Sequence, residues 1–310
     1  MVSKNVVTTS RIDHPVNIFF DKKFLKVLEA LLVFERFGQD ASLPMHEGDT
    51  YKWRLYDELA VATTPLDEVV GPGFILPSKN DLSVQMKQYG SGMKVSAWRD
   101  MVGLSQDKAA MTERLARQSA KTLDTLIRNV TAGGASSTTC SNGSPTATFL
   151  NNTDILTVIR NLMSDNAEMM TALISAAVGQ GTTPIAPSYM VITHTDLYLD
   201  IRNVAGFVEV KNYAKTDAAY PGEVGAIGPS RWILTTNAYK SGSNYYCLFL
   251  AQDAFGKVKI AGGDRPLIFH PPDKTGDAFE MYSTLCWKLN RAYKILQDVL
   301  LHSLICTKRY

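Results

Sequence analysis

Two segments that alternate apolar and polar side chains, "YKWRLYDEL" (Tyr51–Leu59) and "DLSVQMKQYG" (Asp81–Gly90), flank the stretch "TTPLDEVVGPGFILPSKN" (Thr63–Asn80). In the first, Tyr51, Trp53 and Leu55 alternate with Lys52, Arg54 and Tyr56; in the second, Leu82, Val84 and Met86 alternate with Ser83, Gln85 and Lys87. Period-two alternation predicts half-buried strands. Hairpins between such strands normally turn in about two to five residues. Here roughly twenty intervene, rich in Pro and Gly yet carrying Leu66, Val69, Val70, Phe74, Ile75 and Leu76. At about 3.3 Å per residue, ten residues per strand project roughly 33 Å. A lone two-stranded ribbon is marginal in water. Whatever this chain folds into must therefore find cover for a long arm from Thr50 to about Ala97.

The remaining pattern mixes helices with antiparallel strands, which predicts an α+β chain. Phe24, Leu25, Leu28, Leu31 and Leu32 recur at helical spacing over about Asp21–Phe37. Gly90 and Gly92 predict a kink in the second strand of the arm. From Ser105 to about Thr131, Met111, Leu115, Leu123, Leu126, Ile127 and Val130 mark one face of a long helix, a rod of roughly 40 Å. The loop "TAGGASSTTCSNGSPTAT" follows as the candidate domain boundary. Asn152 or Thr153 would cap a helix running to about Leu162, and a second would span Glu168–Val178. "YMVIT" reads as a buried strand, "HTDLYLDIRNV" as the start of a helix, and "RWILTTN", "YYCLFLAQDAFG", "KVKIAG" and "LIFHPP" as strands. The pattern leaves "EMYSTLCWKLNRAYKILQDVLLHSLICT" open between strand and helix.

Length and charge narrow the function classes. The 310 residues suffice for one large domain or two ordinary ones. Thirty-two basic and 30 acidic residues give a net charge of +2, unlike the concentrated basic stripe of a dedicated nucleic-acid binder. Non-specific contact with DNA on one face stays compatible with that balance. Four scattered cysteines without a C-x-x-C pair predict reduced thiols. The apolar run "FLKVLEALLVF" is interrupted by Lys26 and Glu29 and is shorter than the about 20 residues of a membrane span, so no membrane association is expected.

Residues suited to catalysis are sparse. "GEVGAIG" (Gly222–Gly228) lacks the spacing of a nucleotide loop and reads as a turn with close backbone packing. The five histidines show no ligand-like pairing, which predicts neither metal nor cofactor. His194 and Asp196, at the end of a buried strand, are the one candidate dyad for an α+β enzyme; the competing reading is a helix cap. Asp67 and Glu68 sit on the arm tip, where loops hold geometry too loosely for acid–base work.

The order of elements resembles the HK97-like fold of tailed-bacteriophage major capsid proteins. The blocks "LVFERFG" (Leu32–Gly38), "GDTYKWR" (Gly48–Arg54), "TPLDEVVGP" (Thr64–Pro72), "QYGSGMKVS" (Gln88–Ser96), "QSAKTLD" (Gln118–Asp124), "PGEVGAIGPSRWILTT" (Pro221–Thr236) and "QDAFG" (Gln252–Gly256) look like successive blocks of the N-four-type podophage capsid family. The resemblance implies an N-terminal arm over 1–48 and an E-loop over 49–98. It further implies a P-domain spine helix and loop over 99–149, an A-domain over 150–270, and a return to the P-domain over 271–310. It implies a non-enzymatic coat protein that assembles with itself into hexamers and pentamers of an icosahedral head around double-stranded DNA, located in the virion and assembled in the host cytoplasm. Partners implied are a portal protein at one vertex, with scaffold and decoration proteins as further candidates. Trp53, Leu66, Asp67, Glu68, Phe74 and Ile75 become candidate intersubunit contacts of the E-loop. Arg114, Arg117, Lys121 and Arg128 become a basic face of the spine helix, turned to DNA, to neighbouring arms or to solvent. An encapsulin-like compartment shell is the alternative with the same fold.

Overall fold

The computed structural model of the chain describes residues 24, 32–56, 59–63, 76–98, 107–141, 146–171, 186–213, 219–272, 279 and 281–310. Within these, the strands in chain order are β1 (Gln39–Leu43), β2 (Thr50–Tyr56), β3 (Lys79–Gln85), β4 (Lys87–Ser96), β5 (Ser136–Thr139), β6 (Tyr189–His194), β7 (Phe207–Glu209), β8 (Glu223–Ile227), β9 (Ser230–Thr235), β10 (Lys240–Ser241), β11 (Asn244–Leu250), β12 (Phe255–Ile260), β13 (Arg265–His270), β14 (Tyr282–Ile295) and β15 (Leu301–Thr307). The helices are α1 (Asp107–Gly134), α2 (Asn152–Ser164) and the short α3 (Tyr198–Arg202).

The strands form two sheets and a ribbon. The smaller sheet is built on β14, which pairs with β4 along one edge from Tyr282↔Ser96 to Arg291↔Lys87. The other edge is shared by β13, near Thr284–Lys288, and β12, near Arg291–Ile295; β1 lies parallel outside β12. The larger sheet runs β5-β15-β11-β6-β9-β8-β7, with β10 also on β11. β2 and β3 make the ribbon alone.

The long helix α1 spans both sheets because its apolar stripe continues for its full length. Leu115, Ala116, Ala120 and Leu123 pack on Val95, Leu285, Trp287 and Leu289 of the smaller sheet. Ile127, with Leu126 and Val130, packs on Ile192, Ile233 and Leu248 of the larger one. The opposite face of the larger sheet is covered by α2 and α3 through Ile155, Val158, Ile159, Leu162, Leu197 and Ile201. β6 is consequently buried on both faces, which is why "YMVIT" carries no alternation. Asn151 caps α2, its Oδ1 accepting from the Thr153 N–H (3.3 Å), one residue before the expected cap.

Several expectations change. The described end of the first predicted helix is a 3-10 turn, Phe34–Phe37; most of the rest of that prediction lies outside the described residues. Glu168–Thr171 is not helical, and 172–185 lies outside the description. Gly90 and Gly92 do not kink β4, which runs unbroken for ten residues. They allow close approach instead: a Cβ at Gly92 would collide with Cys286 Sγ, and one at Gly90 would sit 2.8 Å from the Trp287 carbonyl oxygen. The open C-terminal stretch resolves as strand, β14 then β15. Sheet membership crosses sequence order: β12 and β13 belong to the smaller sheet, whereas β5 and β15 belong to the larger. Long-range pairing decides this, and sequence spacing does not reveal it.

Candidate functional site

The arm is anchored at its base and open beyond it. β2 and β3 pair from Thr50↔Gln85 to Tyr56↔Lys79, with Arg54 Nε donating to Asp81 Oδ1 across the ribbon (3.0 Å). Trp53 is 8% exposed and packs with Leu43, Val258, Ala292 and Leu296 of the smaller sheet. Its indole lies over Gly256, where any Cβ would collide with the ring. Tyr51 meets Trp53 edge-on at 4.9 Å between centroids. Within its own chain the Trp53 side chain is largely covered, because the glycine leaves a socket for the ring.

Beyond that socket the apolar side chains face outward. Tyr56 is 63% exposed, Leu59 58%, Val61 85% and Leu76 90%. A cleft of about 790 Å3 separates the ribbon from the body, lined by Leu55, Tyr56, Leu82, Val130, Ile295 and Val299 among others. The candidate contacts Leu66, Asp67, Glu68, Phe74 and Ile75 lie outside the described residues.

Of the four candidate basic residues on α1, Arg114, Lys121 and Arg128 follow a seven-residue rhythm, with Arg117 one turn from the first. That spacing places them along one side of the helix, but their contacts differ. Arg114 and Lys121 are exposed, and Arg117 donates to Glu113 Oε1 (2.9 Å) one turn back along the helix. Arg128 is a tie to the larger sheet: it donates to the Asn237 carbonyl oxygen (3.2 Å) and to Asn237 Oδ1 (3.1 Å). Its guanidinium also lies 5.9 Å from the Tyr239 ring centroid.

His194 and Asp196 are brought together as a cap. The His194 Nδ1 accepts from the Asp196 backbone N–H (3.1 Å) at the start of a 3-10 turn, Thr195–Leu197. Asp196 Oδ2 accepts from the Tyr245 hydroxyl (2.9 Å), which holds the carboxyl below its usual range. A catalytic dyad needs the carboxylate to receive the ring N–H and a nucleophile at the other nitrogen; here the ring nitrogen beside the carboxylate is already an acceptor. Among the described residues, no group of three His, Cys, Asp or Glu side chains is arranged to hold a metal ion. Cys140, Cys247 and Cys306 are buried free thiols.

The sequence reading missed several buried charged groups, and two arrangements of them stand out. Glu223 and Arg231 face each other across the β8–β9 hairpin, with side chains 0% and 3% exposed. Arg231 donates from Nε (2.7 Å) and an Nη (2.6 Å), the Tyr213 hydroxyl (2.8 Å) and the Tyr220 N–H (2.9 Å) complete the carboxylate, and both rings flank the guanidinium. Two opposite charges inside the otherwise apolar "EVGAIGPSRWIL" are the signal that could have located the pair. Asp124 of α1 is the other, 3% exposed, accepting from the Val33 and Phe34 N–H groups. Both arrangements hold segments in place; neither has a vacant reactive partner. What stands out among the described residues is the exposed apolar surface of the arm.

Comparisons with known proteins agree in kind. A family model described as "Phage capsid protein" matches residues 80–286. The fold is similar to the capsid of Ralstonia phage GP4, at 14% identity over 90% of this chain and 92% of that one, with a TM-score of 0.67. It is similar to the capsid of cyanophage P-SCSP1u, at 11% identity over 90% and 89%, TM-score 0.62. It is also similar to a virus-like particle from Pyrococcus furiosus, at 8% identity over 93% and 98%, TM-score 0.53. No match is found among curated protein sequences.

Proposed function

Because the chain belongs to the phage capsid protein family, with an HK97-like fold and a structural rather than enzymatic role, we propose that it is the major coat protein of a phage head. Copies associate into hexamers and pentamers that close into an icosahedral shell around double-stranded DNA. The observation that carries this reading is the arm. Its base is fixed by Trp53 in the Gly256 socket, while Tyr56, Leu59, Val61 and Leu76 stay uncovered. An apolar ribbon of two strands gains stability only from a further surface, and a neighbouring copy supplies one at every position in a ring.

In this reading the arm is a strap across the adjacent subunit. Leu66, Phe74 and Ile75 supply apolar contacts, and Asp67 and Glu68 meet basic groups of the neighbour. Each contact is weak alone and multivalency stabilises the closed shell. Arg114 and Lys121 are the spine-helix residues free to meet packaged DNA, since Arg128 is committed to Asn237. A portal protein at one vertex, scaffold and decoration proteins, assembly in the host cytoplasm and a place in the virion accompany this reading.

Purified wild-type protein should elute as rings or shells by size-exclusion chromatography and appear so in negative stain. Deleting residues 62–78 should abolish assembly while leaving a folded subunit by circular dichroism; shells formed unimpaired by that deletion would refute the strap. Particles carrying nuclease-protected duplex DNA support the phage head. Shells assembled in the native host that never contain it support the encapsulin-like compartment.

A further inference from the structure

The polar groups buried between residues 33–37 and the long helix form a cluster that the shell reading does not use. Asp124 reaches from α1 to a segment some 90 positions earlier in the chain. The Val33 N–H donates to both carboxylate oxygens (3.2 and 3.1 Å), and the Phe34 N–H donates to Oδ1 (3.3 Å). These amides open the 3-10 turn Phe34–Phe37, whose N-cap residue, Val33, offers no side-chain acceptor. A first turn has N–H groups that lack partners within the turn. One carboxylate on the helix therefore closes the turn and fastens the segment to the body.

The groups around it are named by element. The turn itself contributes Glu35 and Arg36; β14 contributes Arg291 and Tyr293; β12 contributes Lys257; β1 contributes Asp40; β4 contributes Tyr89; and Asp264 lies before β13. Arg291 sits 3.5 Å from Glu35 Oε1 and donates an Nη–H to Asp264 Oδ2 (2.5 Å). Lys257 donates to the Glu35 carbonyl oxygen (2.5 Å) and lies 3.3 Å from Asp40 Oδ1. The cations are thus shared among Glu35, Asp264 and Asp40. Asp124 is hydrogen-bonded by backbone amides alone, with Arg36 as a weak cationic influence and Glu35 as an opposing one. Ionised, it is the least compensated charge of the cluster, in a site only 3% exposed.

We propose that Asp124 is a pH-governed latch on the segment 33–37, closed most firmly when its carboxyl is protonated and loosened as it ionises beside Glu35. Burial pushes the Asp124 carboxyl up to about 6; the Val33 and Phe34 amides oppose that shift, and Glu35 adds to it. Burial raises Glu35 as well, against the pull of Arg291 and Lys257. Once the segment swings away, Asp124 meets water and returns towards its ordinary value of 3.8. The closed form then binds the proton more tightly than the open form, so closure strengthens as pH falls through 6 towards 4 and weakens as pH rises through 6. Between pH 8 and pH 5 the ratio of closed to open changes about tenfold. This inference concerns the subunit and stands apart from the assembly reading.

Hydrogen–deuterium exchange of the full chain tests it, following peptides that cover residues 32–37 from pH 5 to pH 8, corrected for intrinsic exchange rates. Protection in wild type should be level from pH 8 to about pH 7, begin to rise near pH 6 and reach about tenfold at pH 5. Asp124→Asn keeps an acceptor but cannot titrate, and should flatten the profile. Glu35→Gln removes the opposing charge and should move the onset of the rise to lower pH, so that less protection is gained by pH 5. Uniform wild-type protection overturns the latch, as does an undiminished profile in Asp124→Asn. If Asp124→Asn does not fold, the wild-type and Glu35→Gln profiles decide alone: an onset unmoved by Glu35→Gln belongs to another group and also overturns the proposal.

Discussion

At Gly256 the backbone of β12 passes beneath the Trp53 indole, and a Cβ there would collide with the ring. A methyl at this position forces the ring out of its socket or the ribbon off the sheet. Gly256→Ala should therefore cost about 1–3 kcal/mol in urea unfolding of the isolated subunit, with a red-shifted tryptophan emission as Trp53 meets water. Trp53→Ala in the same background should bring little additional loss, since both substitutions remove one contact. Alternation in "YKWRLY" made Trp53 legible as a buried strand residue. Its partner was not legible, because nothing local to "QDAFGK" signals that an arm two hundred positions earlier lies on it. Asp124 was illegible for the same reason, its partners lying some 90 positions away, whereas the Glu223–Arg231 pair left a local trace, two opposite charges in an apolar hairpin.

The long helix was the clearest element in the sequence, and its observed span, Asp107–Gly134, is near the expected one. Its stripe of Leu115, Ala116, Ala120, Leu123 and Ile127 is 2% exposed or less throughout. The small residues let β14 approach closely, and the large ones fill the spaces between. Leu123→Ala removes buried methyl groups at the junction with Trp287 and Leu289, and should destabilise by about 2–5 kcal/mol, read as a lower midpoint of thermal unfolding. β14 shows the converse. Its burial alternates from Ser283 to Trp287, then breaks at Leu289–Asn290, where β13 gives way to β12 as partner and both faces become covered. A strand that changes neighbours midway loses its period-two signature, so helix and strand look alike there.

For the whole molecule, the distribution of charge along α1 separates two roles. Arg114→Glu with Lys121→Glu changes exposed side chains and should leave subunit stability within about 0.5 kcal/mol. If α1 lines the inner wall of a shell, the same pair should lower retention of duplex DNA and flatten its salt dependence. Arg128→Glu should instead destabilise the subunit itself, by breaking the tie to Asn237 and Tyr239; calorimetry and particle DNA content distinguish the two. The α+β class and the order arm, long helix, mixed body were legible from periodicity. The partition into two sheets was not, because β4 finds β14, and β5 finds β15, across well over a hundred residues. That crossing has a consequence for biosynthesis. Because β15 is inserted between β5 and β11, the larger sheet stays split on the ribosome until residues 301–307 emerge, with β5 waiting unzipped through the translation of everything between. A nascent chain cannot offer a finished larger sheet to its neighbours before β15 is made, so the timing of oligomer growth is tied to the synthesis of that strand.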